Sequence, residues 1–154
     1  MKVIFLDIDG VLNSRRYDRE RDPATQGNID VTRLPLLKRL VEETGAVIVL
    51  SSSWRRHWDS DPAGRDDVGA ELDRVFGDAG LSVFDKTPEL GGDNRDGEIL
   101  AWLYARGGEV ERFVILDDIP FGWGDLADRL VRTNPLKSLG LMKEHIARAA
   151  ELLR

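Results

Sequence analysis

Two apolar segments of the chain, far apart in the sequence, each run directly into acidic residues. The segments are Val3–Leu6 and Phe113–Leu116, and the acids that follow them are Asp7 and Asp9 after the first and Asp117 and Asp118 after the second. Such runs of β-branched, aromatic and aliphatic residues are typical of strands buried on both faces of a parallel sheet. In open sheets of this kind, ligands bind beyond the carboxyl ends of the strands. Both acidic pairs are therefore predicted to lie where the sheet binds its ligand.

The spacing of neighbouring strands sets the chemistry of a shared acidic site. Neighbouring strands are about 4.8 Å apart, and two unit charges about 4 Å apart repel by roughly 4 kcal/mol at an effective dielectric constant of 20. Three or four carboxylates at such distances require a cation, and oxygen ligands favour Mg²⁺. Alternatively, Asp9 and Gly10 form an ordinary turn, for which Asp-Gly is a frequent dipeptide. The second acidic pair favours the metal site.

Strand-like and helix-like segments alternate along the chain. We expect strands at about 3–6, 46–50, 81–84, 113–116 and 130–132, and helices at about 32–44, 67–79, 95–106 and 140–153. This alternation predicts an α/β fold, a three-layer Rossmann-like parallel sheet of about five strands with helices on both faces. No repeat, linker or low-complexity segment interrupts it, so we expect one domain over residues 1–154.

The composition excludes several classes of protein. The chain of 154 residues has no cysteine and a formal net charge of −6. It therefore has neither a disulfide framework nor a thiolate nucleophile, and its charge argues against broad non-specific nucleic-acid binding while allowing a local basic patch. Its apolar runs are far shorter than the roughly 20 residues that span a bilayer, and it begins with a strand pattern rather than a signal peptide. We expect a cytoplasmic protein without a membrane partner.

The strongly charged segment 13–30 follows the first predicted strand and has two interpretations. Mixed charge of this kind is typical of a solvated loop. The segment is also long enough for a short flap over the strand ends, whose arginines, Arg15 among them, would meet an anionic substrate.

The residues after the second predicted strand also have two interpretations. Ser51 and Ser52 supply hydroxyl groups that can hold a phosphate, or one of them merely caps the next helix. Trp54 and Arg55 can stack on and pair with a nucleotide, or the tryptophan is partly core and the arginine is solvated. The sequence leaves these alternatives open.

Together these motifs resemble the haloacid dehalogenase (HAD) superfamily of phosphotransferases. The first motif of that superfamily, Asp-x-Asp-Gly, is similar to Asp7-Ile8-Asp9-Gly10, and its second, a Ser or Thr ending strand two, is similar to Ser51. Its fourth motif, an acidic pair ending strand four, is similar to Asp117-Asp118. Within the superfamily, Gly-Val-Leu-Asn after Asp9 and Ser-Ser-Trp-Arg after Ser51 look most like the HAD domains of Swiss Army knife RNA-repair proteins.

The resemblance implies a role for each acid. Asp7 would attack phosphorus and form an aspartyl-phosphate. Asp9 would protonate the leaving oxygen and then deprotonate the attacking water. Mg²⁺ would be held by Asp7, the backbone carbonyl of Asp9 and Asp117, with Asp118 close by.

The resemblance also implies that Ser51 and a basic residue hold the other phosphoryl oxygens. Two residues are candidates for this third motif. Arg95 is favoured by its position at the start of the helix before strand four, and Lys86 after strand three is the other candidate. An arginine keeps the charge of the usual lysine and can bind phosphate oxygens through two hydrogen bonds.

The short connections leave no room for a large cap domain, and HAD enzymes without a cap have an open site. An open site fits a phosphorylated macromolecule, such as a nucleic-acid end, or a nucleotide. We therefore expect a Mg²⁺-dependent phosphatase. The alternatives are a receiver-like phospho-accepting domain, against which Asp9 argues, and a non-catalytic binding module with the same fold.

Overall fold

The computed structural model describes residues 1–154 and contains one five-stranded sheet. The strands are β1 (Lys2–Leu6), β2 (Val47–Leu50), β3 (Val83–Lys86), β4 (Arg112–Asp117) and β5 (Leu130–Arg132). They are all parallel and lie in the order β3-β2-β1-β4-β5. The order reverses direction at β1, so the first strand lies at the centre of the sheet, where a doubly wound sheet forms its ligand crevice.

Helices cover both faces of this sheet, as the sequence predicts. The helices are α1 (Arg15–Glu20), α2 (Leu34–Thr44), α3 (Asp67–Asp78), α4 (Arg95–Ala105) and α5 (Lys143–Leu152). Side chains of β1 alternate between two apolar clusters, with Ile4 and Leu6 in one and Val3 and Phe5 in the other. The first cluster contains buried residues of α2, α3 and α5, and the second contains buried residues of α4. The predicted three-layer α/β fold is therefore confirmed.

The third strand begins two residues later than predicted, because Leu81 closes a helix instead of pairing with β2. The backbone N–H of Leu81 donates to Phe76 O at 2.8 Å, and that of Gly80, with φ of +74°, donates to Gly77 O at 3.0 Å. These two bonds and the buried Leu81 side chain form a Schellman motif at the end of α3. The apolar Leu81 side chain therefore belongs to the end of α3 and not to the predicted strand.

The last helix begins at Lys143 and not at Gly140. Gly140 has a φ of +84° and pairs with Asn134 in an isolated antiparallel bridge. A Cβ at this glycine would lie 2.6 Å from Val11 O, and the next residue, Leu141, donates its N–H to the same oxygen at 2.8 Å. The segment before α5 is thus packed closely against the loop that follows β1.

The segment 13–30, predicted to be irregular, contains the short helix α1. Ser14 caps it by accepting a hydrogen bond from the N–H of Tyr17. No residue of α1 is buried, so the helix has no apolar face that would give a periodic signal.

No helix in the structure is both long and apolar enough to cross a membrane.

Candidate active site

The acids that follow β1 and β4 lie side by side at the carboxyl edge of the sheet. The two strands are in parallel register, with Leu6 opposite Leu116, and the N–H of Asp7 donates to Leu116 O at 3.0 Å. Carboxylate oxygens of Asp7, Asp117 and Asp118 all lie within 4.8 Å of one another. Adjacent strand ends thus bring together acids that are far apart in the sequence.

Arg95, at the start of α4, contacts two of these three acids. Its Nη1 lies 3.0 Å from Asp7 Oδ1 and 2.8 Å from Asp117 Oδ2. Burial opposes the charge on this guanidinium, but the two carboxylates outweigh it and raise the pKa of Arg95. Lys86, the other candidate, donates instead to the backbone oxygens of Arg55 and Trp58, at 3.0 and 2.6 Å. The structure therefore places Arg95, and not Lys86, against the acids.

One guanidinium does not balance three carboxylates in this site. Burial, and next the Asp117 carboxylate, hold the pKa of Asp7 well above its ordinary value, although Arg95 opposes the shift. Burial likewise raises the pKa of Asp117, again against the effect of Arg95. A cluster that is costly to ionise and offers only oxygen ligands fits a hard divalent cation such as Mg²⁺.

Ser51 lies at the end of β2, next to the end of β1, and its hydroxyl group has no hydrogen-bond partner within the protein. Its N–H donates to Leu6 O at 2.9 Å, and the residue is fully buried. A buried hydroxyl without a partner costs about 1–3 kcal/mol, and a bound phosphoryl oxygen would remove that cost. Ser52 is different, because its Oγ accepts a hydrogen bond from the N–H of Trp54 and caps the turn that follows.

Asp9 lies outside the buried cluster and is exposed. One oxygen of its carboxylate accepts from Asn13 Nδ2 at 2.9 Å, and the other accepts from Trp54 Nε1 at 3.2 Å. The next residue, Gly10, has a φ of +88°, and a Cβ there would lie 2.5 Å from Asp118 Cγ. The Asp118 side chain therefore packs directly against the backbone at Gly10.

A cleft of about 550 Å³ opens beside Asp9. Its lining is mostly polar and includes Asn13, Asn28 and Ser53 together with Arg21 and Arg56. A larger cavity of about 820 Å³ lies between the segment after α1 and helices α2 and α3, and its lining is more apolar. Trp54 lines both spaces.

A family model described as the HAD domain in Swiss Army Knife RNA repair proteins matches residues 3–146. The chain belongs to this family. The predicted resemblance is thus confirmed over nearly the whole chain. No curated protein and no solved structure gave a significant match. HAD domains generally act as hydrolases, phosphatases among them, and the family supports a phosphatase-type activity for this one.

Arg55 and Arg15, two of the predicted substrate contacts, do not line the cleft beside Asp9 in this HAD domain. Arg55 is buried, and its Nη2 lies 2.7 Å from Glu98 Oε2. This guanidinium is part of the interior and does not face the cleft. Arg15 is exposed, and the cleft beside Asp9 is lined by Arg21 of the same segment instead.

Two residues at the site of this HAD domain were missed as site residues. Asn13 is buried, accepts from the N–H of Gly10 at 2.8 Å and donates to Asp9. Thr133, which follows β5 and is fully buried, donates its hydroxyl to Gly10 O at 2.7 Å, and its N–H donates to Asp117 O. Thr133 is a polar residue directly beyond a predicted strand, and Asn13 is the polar end of the Gly-Val-Leu-Asn run after Asp9. These are the signals that would have found them.

Proposed function

We propose that this HAD domain is a Mg²⁺-dependent phosphomonoester hydrolase that acts through an aspartyl-phosphate on Asp7. The observation that carries the proposal is the arrangement at the carboxyl edge of the sheet. Carboxylate oxygens of the buried Asp7 and Asp117 and of Asp118 lie within 4.8 Å of one another. Arg95 bridges Asp7 to Asp117, and Ser51 has an unpartnered hydroxyl group at the adjacent strand end.

The hydrogen bonds of Asp7 favour its role as nucleophile. Its Oδ1 accepts from the N–H of Ile8 at 2.9 Å and lies 3.0 Å from Arg95 Nη1. Those contacts fix the carboxylate and leave Oδ2 to attack phosphorus. The Ser51 hydroxyl and Arg95 would hold phosphoryl oxygens, because one is a free buried donor and the other a fixed cation.

Asp9 would supply the proton chemistry on the leaving-group side. Its carboxyl group would protonate the leaving oxygen as the phosphorus–oxygen bond breaks, and its carboxylate would then take a proton from the attacking water. Asp9 is exposed in the cleft, so the leaving group has open space beyond it.

Asp7, Asp117 and the backbone carbonyl of Asp9 would hold the Mg²⁺, with Asp118 beside them. The ion supplies neutralisation of the negative charge shared by carboxylates and phosphoryl oxygens. The residues fit the ion because all the available ligands are oxygens and because burial makes their ionisation costly without it.

The substrate we propose is a phosphorylated nucleic-acid end or a nucleotide. Support comes from the family, which is named for RNA repair proteins, and from the cleft lining. Arg21 and Arg56 are cations that can bind a neighbouring phosphate. The Trp54 ring lines the same cleft, and a base can stack on it.

The test is release of phosphate from p-nitrophenyl phosphate, from nucleotides and from oligonucleotides phosphorylated at the 5′ or the 3′ end, each with Mg²⁺ and with EDTA. We expect turnover that EDTA abolishes and that Asp7→Asn removes. Turnover that persists in EDTA would overturn the metal requirement. A phosphoenzyme that forms and does not hydrolyse would favour a receiver-like domain, and ligand binding without either reaction would favour a binding module.

A further inference from the structure

We propose that Trp54 is a positioning residue that, together with Asn13, aims the carboxyl group of Asp9 at the leaving oxygen. This inference rests on the proposed phosphatase function. It concerns the indole N–H of Trp54, whose hydrogen bond to Asp9 joins the loop after β2 to the loop after β1.

The two donors hold the Asp9 carboxylate from two sides. Asn13 Nδ2 lies 2.9 Å from one oxygen, and Trp54 Nε1 lies 3.2 Å from the other. An exposed aspartate without such partners turns freely about its side-chain torsions, and a proton donor must be held within hydrogen-bond reach of the atom it serves. Two donors on two oxygens restrict the plane as well as the direction of the carboxyl group.

Both donors are themselves fixed. Asn13 is buried, accepts from the N–H of Gly10 at 2.8 Å and also donates to Asn28 O at 3.1 Å. The N–H of Trp54 is bound to Ser52 Oγ at 3.2 Å, and its side chain packs against the larger apolar cluster. The orientation of Asp9 is thus set by the interior of the domain.

These hydrogen bonds can persist while Asp9 transfers its proton. Each carboxyl oxygen has two lone-pair positions, so each oxygen keeps one position after accepting an N–H. In the first step, Asp7 bonds to phosphorus, the bond to the leaving oxygen breaks, and that oxygen takes the proton from Asp9 to leave as an alcohol. In the second, water gives a proton to Asp9 and its oxygen bonds to phosphorus, and the bond to Asp7 breaks to release phosphate.

A dependence on the leaving group distinguishes this role from packing or stacking by the ring. p-Nitrophenolate leaves readily without a proton, whereas an alkoxide such as a ribose oxygen requires one. The second step is the same for both esters, so the contrast is confined to the first step, which kcat/KM reports. Loss of the Asp9 orientation therefore lowers kcat/KM much more for alkyl phosphates than for p-nitrophenyl phosphate. Damage to the fold or to phosphate binding slows both substrates equally.

The experiment compares kcat/KM of the full chain on glycerol phosphate, a small alkyl ester, and on p-nitrophenyl phosphate. Trp54→Phe keeps an aromatic ring and removes the N–H. We expect it to lower kcat/KM on the alkyl ester about tenfold, part of the 10²–10⁴-fold contribution of a general acid, with less than a threefold change in kcat/KM on p-nitrophenyl phosphate. Asp9→Asn should show the same selectivity with a larger loss.

Trp58→Phe is the matched control, because Trp58 lies in the same connection and also donates its indole N–H to a carboxylate, Asp73 Oδ1, at 3.0 Å. It should show no preference between the two substrates. Equal losses of kcat/KM by Trp54→Phe on both esters, or a faster alkyl reaction, would overturn the positioning role alone. A wild-type chain that hydrolyses neither ester would overturn the proposed function, and this inference with it.

Discussion

Arg55 and Glu98 form a buried ion pair in which Nη2 and Oε2 are 2.7 Å apart. The pair joins the connection after β2 to helix α4, and Arg95 lies one turn earlier on the same helix. Glu98 Oε2 also accepts the N–H of Leu90 at 2.9 Å. The ion pair therefore fixes the position of the start of α4 relative to the end of β2. It also fixes the position of Arg95, whose guanidinium contacts Asp7.

Removal of Arg55 should destabilise the fold strongly. In Arg55→Ala the Glu98 carboxylate stays buried without its cation, which costs about 3–5 kcal/mol of the free energy of unfolding. Urea unfolding followed by circular dichroism measures the loss. Arg56→Ala is the control, because its partner Glu89 and Arg56 itself are exposed, and it should change the midpoint little. Equal losses in the two variants would contradict a structural role for the buried pair.

The local signals of the strands placed Asp7 and Asp117 at strand ends, where the structure has them. Apolar runs that end in acids specify both the strand and the position of its last residue, so Asp7 and Asp117 could be assigned to one edge of the sheet. The fifth strand was predicted at its observed bounds, 130–132. Local patterns do not specify which strands are neighbours, and the structure shows that β1 and β4 are. Because parallel strands end at the same edge of a sheet, this adjacency brings the two acidic pairs together.

The partners of the charged side chains could not be predicted in this way. Arg55 and Arg56 are adjacent and chemically identical, yet one pairs with buried Glu98 and the other with exposed Glu89. Trp54 was considered as a stacking ring, and the hydrogen bond from its N–H to Asp9 was not predicted. These differences arise from the direction in which each side chain leaves a 3-10 turn, and such directions depend on tertiary packing rather than on local periodicity.

Asp7→Asn should abolish turnover and stabilise the metal-free protein. The amide cannot attack phosphorus, and it removes one carboxylate from a buried cluster in which the pKa of Asp7 is raised by burial and by Asp117. A single stabilising substitution typically raises the free energy of unfolding by about 0.5–2 kcal/mol. Thermal unfolding in EDTA should show a higher midpoint for Asp7→Asn than for the wild type, and a lower one would contradict the electrostatic cost that we assign to the cluster.

The same raised pKa predicts how the stability of the metal-free protein depends on pH. A carboxyl group with a higher pKa in the folded state binds its proton more tightly there than in the unfolded chain, so the free energy of unfolding falls as pH rises above the ordinary value of 3.8. The stability advantage of Asp7→Asn should therefore grow with pH. Unfolding of both proteins in EDTA at several values between pH 4 and pH 8 measures the difference, and a constant difference would contradict this linkage.

Substitutions of Arg95 and Lys86 should have different effects, because we expect Arg95 to be catalytic and Lys86 to be structural. Arg95→Ala takes the only contacting guanidinium from Asp7 and Asp117, and we expect kcat to fall at least a hundredfold, the scale of losing a charge-stabilising donor. Lys86→Ala removes hydrogen bonds to two backbone oxygens of the connection after β2. Lys86→Ala should lower the midpoint of thermal unfolding and leave kcat within a few fold of the wild-type value. The opposite pattern would assign the third-motif role to Lys86.

Gly10→Ala should inactivate the site, whereas Gly45→Ala should only destabilise the fold. Both glycines have a positive φ, +88° and +69°, so alanine is strained at either position and costs about 1 kcal/mol or more. They differ in their surroundings, because a Cβ at Gly10 would lie 2.5 Å from Asp118 Cγ, whereas a Cβ at Gly45 meets no atom within 4 Å. Kinetics at saturating Mg²⁺, below the unfolding transition of both variants, should show lost turnover for Gly10→Ala alone. Similar kcat values in two equally folded variants would mean that Asp118 moves aside without consequence and does not take part in the site.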